Sequence, residues 1–215
     1  YFGYNSGYGR MFASLPEGPR KVGVIGLGAG SVIAYGRKGD IFRFYEINPQ
    51  VVDVARREFT FMDESPAKIE VVLGDGRLSL EREPSQQFDV LAMDAFSGDS
   101  IPMHLLTREA MHIYLRHLKP GGVLIFQATN RFLNIPPIVA SLASEFGMAS
   151  VLVSDIPESE EGPEYWTSST DQVIATTNRA FLQSEKIRSV ATEITVPQGF
   201  RVWSDDFNNL LRVLK

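Results

Sequence analysis

A glycine turn fused to the end of an apolar strand constrains this chain most. The strand is Val22-Gly23-Val24-Ile25, and Gly26-Leu27-Gly28-Ala29-Gly30-Ser31 follows it directly and opens a short helix. Glycines at such a junction let the backbone turn tightly and approach a partner with no side chain between. The rest of the chain keeps the alternation that this start implies. Further strands are predicted over 41–47, 69–73, 88–93 and 123–127. The third and fourth are continuous β-rich runs, as central parallel strands are.

The helices between them carry their own punctuation. Asn48 is placed as an N-cap and Pro49 as a first helical residue, with Val51, Val52, Ala55 and Phe59 on one face. Thr107 caps a helix that buries Ala110, Met111, Tyr114, Leu115 and Leu118 and that Lys119-Pro120-Gly121-Gly122 stops. Another helix is predicted over 136–146, closed by Gly147. The runs 151–153 and 173–176 read as an antiparallel edge pair, joined through a Glu-, Pro- and Ser-rich loop over 157–170. Ser204-Asp205-Asp206-Phe207 is expected to start a last helix that packs through Phe207, Leu210, Leu211 and Leu214. The pattern predicts an α/β fold with a mostly parallel sheet and helices on both faces. One domain is expected over 1–215: an N-terminal segment over 1–20, a core over 21–177 and a helical tail over 178–215.

Composition removes several classes of chemistry. The chain has no cysteine, which excludes a disulfide scaffold, a thiolate nucleophile and a sulfur-ligated zinc. Its 3 histidines are scattered without paired acidic ligands, so no metal is expected. His112 and His117 are placed on the polar side of their helix. A net charge of -5 disfavours a nucleic-acid partner. No apolar run is long enough to span a bilayer. The chain begins at Tyr1 and is read as a processed or excised piece; its first residues do not resemble a signal peptide.

Four signals fall at the carboxyl ends of successive strands, the edge where open α/β sheets bind ligands. The first is Gly26-x-Gly28-x-Gly30. It departs from the dinucleotide fingerprint, because Ser31 stands where a third glycine is needed. The second is Glu46, about 20 residues further on, the spacing at which an acid accepts both ribose hydroxyls. The third is Asp75 in Gly74-Asp75-Gly76, suited to an adenine amino group and also to an ordinary turn. The fourth is Asp94, which follows a buried apolar strand; a carboxylate there is costly unless it is placed for use. Ser97 and Ser100 have no His and Asp beside them to form a hydrolase triad.

These stretches resemble the spermidine synthase-like proteins, and more narrowly the branch often fused to membrane segments. The likeness rests on Val22 to Gly30, on Phe44-Tyr45-Glu46-Ile47-Asn48-Pro49, on Val72-Leu73-Gly74-Asp75-Gly76-Arg77, and on Met93-Asp94-Ala95-Phe96-Ser97-Gly98-Asp99-Ser100-Ile101-Pro102. His104-Leu105-Leu106-Thr107-Arg108-Glu109 and Val202-Trp203-Ser204-Asp205-Asp206-Phe207 fit as well. The resemblance implies a Rossmann-like, seven-stranded sheet of the class I methyltransferase type. It implies a bound decarboxylated S-adenosylmethionine, or S-adenosylmethionine itself, with methylthioadenosine or S-adenosylhomocysteine as product. Glu46 then matches the ribose acid, Asp75 the adenine contact and Asp94 the acid beside the attacking amine. Gly26, Gly28, Gly30, Ile47 and Gly76 complete the expected nucleoside contacts.

Two positions depart from that family. Ala29 stands where spermidine synthases carry the Asp that holds the aminopropyl ammonium, and Ser97 stands where a second Asp holds the diamine. Asp99 is a substitute for the latter from two residues away. Ser97, Asp99, His104 and Tyr4 are the expected substrate contacts. Tyr4 and Tyr8 are read either as a lid over the nucleoside or as a terminal strand packed on the core. The expected activity is aminopropyl transfer to a small amine. A methyltransferase acting on a small acceptor and a non-catalytic nucleoside or polyamine sensor are the alternatives. The expected location is cytoplasmic, as a free protein or the soluble part of a membrane-associated parent, with a membrane-domain fusion or a homo-oligomer as the partner arrangements.

Overall fold

The computed structural model describes residues 2–95, 101–156 and 168–215. Among these, β1 (Lys21–Ile25), β2 (Ile41–Glu46), β3 (Lys68–Leu73), β4 (Phe88–Met93), β5 (Leu118–Gln127), β6 (Ala149–Asp155) and β7 (Thr170–Thr176) form one sheet. Its order is β3-β2-β1-β4-β5-β7-β6. The strands β3 to β5 are parallel, and β7 runs antiparallel to β5 and to β6. The predicted antiparallel pair is therefore at the sheet edge, with β6 outermost.

The helices are α1 (Gly7–Ser14), α2 (Pro49–Glu58), α3 (Phe61–Glu64), α4 (Gly76–Arg82), α5 (Arg108–His117), α6 (Pro136–Glu145), α7 (Arg179–Leu182) and α8 (Glu185–Arg188). Strand pleating divides their packing between two faces. Leu91 and Met93 point to one core with Leu80, Met111, Tyr114 and Ile138, from α4, α5 and α6. Val90 and Ala92 point to the other with Tyr8, Phe12, Val52 and Phe181, from α1, α2 and α7. Local chemistry starts the helices where the sequence suggests. Asn48 accepts from Gln50 N–H ahead of Pro49, and Thr107 accepts from Ala110 N–H. Among the described residues no helix is long and apolar enough to cross a membrane.

Several expectations are corrected. The strand β5 starts at Leu118 rather than at residue 123, because Lys119 to Gly122 is absorbed as an irregularity between the pairs Phe88↔Leu118 and Val90↔Val123. Residues 7–14 form a helix rather than a lid or a strand, capped by the Ser6 side chain. Tyr4, just outside that helix, is 89% exposed. His117 is buried instead of solvated. Its Nε2 faces Leu80 C=O at 2.8 Å and its Nδ1 accepts from Gln86 N–H at 3.2 Å, so the neutral ring is fully partnered, and burial lowers its pKa.

The helical tail is also corrected. No helix starts at Ser204; Ser204 pairs with Phe207 in an isolated bridge, and one short 3-10 turn covers Leu210–Arg212. Leu211, expected on a packing face, is 82% exposed. A tertiary contact has overridden the local signal. The Asp205 carboxylate accepts from Thr107 Oγ1 at 2.8 Å and from both terminal nitrogens of Arg77 at 2.7 and 2.5 Å. It anchors the tail against α4 and α5 instead of stabilising a helix N-terminus.

The glycine turn shows why its residue types are required. Gly26 has φ +94°, and a Cβ there would lie 2.3 Å from the Asp94 carbonyl oxygen. Gly28 has φ +53° and nothing within 4 Å of a Cβ. Gly28→Ala therefore meets only the left-handed penalty, about 1 kcal/mol. Gly26→Ala must also push β4 away from β1, which costs about 2–4 kcal/mol. Denaturant unfolding of the two variants checks this: a much larger loss is expected for Gly26→Ala, and equal losses would refute the close-approach account.

Candidate functional site

The carboxyl ends of the parallel strands open into one cavity of about 850 Å³, a size suited to a nucleoside with a small second molecule. Gly26 and Gly28 form its floor, and Leu27, Ile47, Val51, Phe59 and Phe61 give it apolar walls. A flat base and a ribose need such walls together with a few fixed polar groups.

Glu46 ends β2 and is only 7% exposed. Its Oε2 accepts from Leu27 N–H at 3.0 Å and its Oε1 from Asn48 N–H at 2.9 Å. Two backbone donors thus hold the carboxylate rigid, while each oxygen keeps a lone pair for a further hydroxyl donor. Asp75 follows β3. One of its oxygens caps α4 through Leu78 N–H at 2.8 Å, and the other lies 2.9 Å from His104 Nε2. The turn reading and the cavity reading of Asp75 therefore both hold, since it caps a helix and lines the cavity with Gly76.

Asp94 follows β4, and its own N–H donates to Ile25 C=O at 2.9 Å. Its side chain lines the cavity. Burial alone pushes its carboxyl up to about 7, because a charge without compensating partners is disfavoured in a poorly solvated place. Near it lies Tyr8, which the sequence offers as part of a lid or of a terminal strand and which the structure places in α1. Tyr8 is fully buried, and its hydroxyl has no hydrogen-bond partner among the described residues. Burial and the charge of Asp94 together raise its pKa well above the usual phenol value.

A buried amide relay explains how α1 brings Tyr8 there. Gly7 N–H donates to Gln172 Oε1 at 2.7 Å, and Gln172 Nε2 donates to Gln127 Oε1 at 2.9 Å. The relay docks the N-terminus of α1 on β7 and on the end of β5, beside Asp94. The N-cap Ser6 and the Tyr-Gly repeats are the signals that could have found it.

Of the residues expected at the site, Gly26, Gly28, Glu46, Ile47, Asp75, Gly76, Asp94 and His104 line the cavity. His104 does so from beside Asp75. Gly30 does not line it; it caps the following 3-10 turn with φ 79°. Tyr4 points to solvent, and Phe2 takes the N-terminal segment's place in the wall. Ser97 and Asp99 lie outside the described residues. Ala29 and Ser31 are in the wall, and so are Thr129, Asn130 and Arg131 from the segment after β5. Among the described residues no group of three or more His, Asp or Glu gathers as a metal site.

Comparison with known proteins places this geometry in a family. A model described as Spermine/spermidine synthase domain matches residues 2–179. A polyamine aminopropyltransferase from Vibrio vulnificus (strain CMCP6) is 34% identical over 122 residues, which are 54% of this chain and 39% of that protein. Putrescine N-methyltransferase 2 from Nicotiana tabacum is 28% identical over 184 residues, 73% of this chain and 51% of that protein. The chain therefore spans between two fifths and about half of these relatives' lengths. The crystal structure of spermidine synthase from Thermotoga maritima superimposes with a TM-score of 0.64 at 19% identity, covering 89% of this chain and 65% of that one. That likeness shows a shared fold. The family match takes in all seven strands, and the chain belongs to the spermine/spermidine synthase domain family.

Proposed function

We propose that this domain transfers an aminopropyl group from decarboxylated S-adenosylmethionine to a small amine. The observation that carries the reading is Asp94: a carboxyl held near neutrality, at the end of the strand next to the glycine turn, inside a cavity large enough for two ligands. The residues present fit an adenosyl donor. Glu46 offers a fixed, buried carboxylate to a ribose diol, Gly26 and Gly28 leave the floor open, and Asp75 and Gly76 bound the far end for an adenine.

Bound there, an adenosyl sulfonium supplies an electrophilic carbon and a leaving group that departs as a neutral thioether. The protein's part is alignment and proton management. The amine nitrogen forms the new C–N bond as the C–S bond breaks and its electron pair returns to sulfur. Asp94 accepts the proton that the amine must lose. Holding both reactants in one cavity supplies the rest of the acceleration.

Methyl transfer from intact S-adenosylmethionine is the second reading, favoured by Ala29. A neutral methyl side chain in the wall does not repel a donor carboxylate, whereas an Asp there would. The likeness to putrescine N-methyltransferases over most of the chain supports the same alternative.

Glu46→Ala should weaken methylthioadenosine binding by about 2–3 kcal/mol, roughly 30- to 150-fold in calorimetry; unchanged affinity would remove Glu46 from the ribose. In wild type, kcat/KM should rise about tenfold per pH unit up to about pH 7 and then level, since Asp94 works only when ionised. Asp94→Asn should retain the nucleoside and lose about 10²- to 10⁴-fold in rate together with that acidic limb; a surviving limb would assign it to another group. Finally, Ala29→Asp should shift donor preference toward the decarboxylated form. A wild type that accepts only the intact donor and methylates its acceptor would establish the second reading instead.

A further inference from the structure

The order of strand ends gives the cavity a direction. Glu46 and the glycine turn, at the ends of β2 and β1, occupy one half. Asp94, at the end of β4, stands in the middle. The pairing Met93↔Phe126 sets Asp94 beside Gln127, so the residues after β5 lie across Asp94 from the glycine turn. With the donor over β2 and β1, this far half is where the second reactant must sit.

That half carries a positive charge. Arg131 lines the cavity at its rim, and among the described residues no carboxylate pairs with it. Its guanidinium lies 5.8 Å from the Phe132 ring centroid. Its backbone is braced: Asn130 Oδ1 accepts from Phe132 N–H at 2.9 Å and Leu133 N–H at 2.7 Å, and Lys215 Nζ donates to Asn130 C=O at 2.8 Å. The neighbouring wall residues Gln127, Thr129 and Asn130 are neutral. Asp94 is the one acid lining this half among the described residues. A simple diamine seated with one nitrogen at Asp94 would direct its second ammonium toward a guanidinium.

We infer that the acceptor is an amine bearing an anionic group, a carboxylate in the simplest case, whose nitrogen faces Asp94 and whose negative end pairs with Arg131. The inference rests on the proposed function, which sets the donor on the opposite side, and it names the substrate class of that same site. Arg131 is then a specificity-determining residue, suited to a carboxylate because a guanidinium offers two parallel donors.

The test compares two ligands of matched length, 4-aminobutyrate and 1,4-diaminobutane, titrated calorimetrically into the protein saturated with methylthioadenosine. The aminobutyrate should bind about tenfold or more tighter, and Arg131→Glu should reverse the order. Arg131→Gln should lose the preference. Tighter binding of the diamine to wild type, binding of neither ligand, or an order unchanged in Arg131→Glu would each overturn the inference. A selective loss of S-adenosylhomocysteine affinity in Arg131→Gln, with methylthioadenosine affinity kept, would overturn it as well by assigning Arg131 to the donor's carboxylate. Failure of methylthioadenosine itself to bind wild type would instead strike the proposed function, so the two failures are distinguishable.

Discussion

Gly26 N–H donates to Tyr45 C=O at 2.8 Å, and Asp94 N–H donates to Ile25 C=O at 2.9 Å. These two bonds stitch the ends of β2, β1 and β4 side by side, and the absent side chain of Gly26 lets the Asp94 carbonyl approach. The rest of the site depends on that contact. It sets the Asp94 side chain at the mouth of the sheet, and it brings Leu27 N–H to Glu46, whose carboxylate it helps to fix. A Cβ at residue 26 would separate the two acids that the proposed chemistry needs together.

Stability and function pull against each other at Asp94. A carboxyl shifted to about 7 by burial alone is a group the fold would hold more easily if it were paired. Arg20 and Asp40 show the paired alternative in the same protein: two buried charges 2.5 Å apart, with the acid held below the usual carboxylate range. Tyr8, whose buried hydroxyl has no partner among the described residues, is near enough to feel the charge of Asp94. Buried polar groups are normally satisfied, so an acid raised toward neutrality in the cavity wall marks the place where a ligand is expected to complete the bonding.

Much of this was legible in the sequence because it was local. The strand over 88–93 and its terminal acid, the Asn48-Pro49 start, the Thr107 cap and the acid about 20 residues past the glycines depend on neighbours along the chain. What escaped depends on distant partners. Ser6 and the Tyr-Gly repeats can signal a helix around Tyr8, but where it docks depends on Gln172, far along the chain on β7. His117 reads as solvated on helical periodicity, and is buried because Leu80 and Gln86 supply both of its bonds. Ser204-Asp205-Asp206 is a sound helix start in isolation, and fails because Arg77 claims Asp205. Arg131 had no motif to announce it; its meaning follows from the order of strands.

The central claim is an orientation: donor nucleoside over β1 and β2, reacting centre at Asp94. A crystal structure of the protein with methylthioadenosine tests it most directly. The account predicts both ribose hydroxyls within hydrogen-bond distance of the Glu46 carboxylate, the adenine near Asp75, and the thioether sulfur on the Asp94 side of the glycine turn. A nucleoside bound elsewhere, or reversed so that its base lies against Asp94 and its sulfur against Asp75, would contradict it.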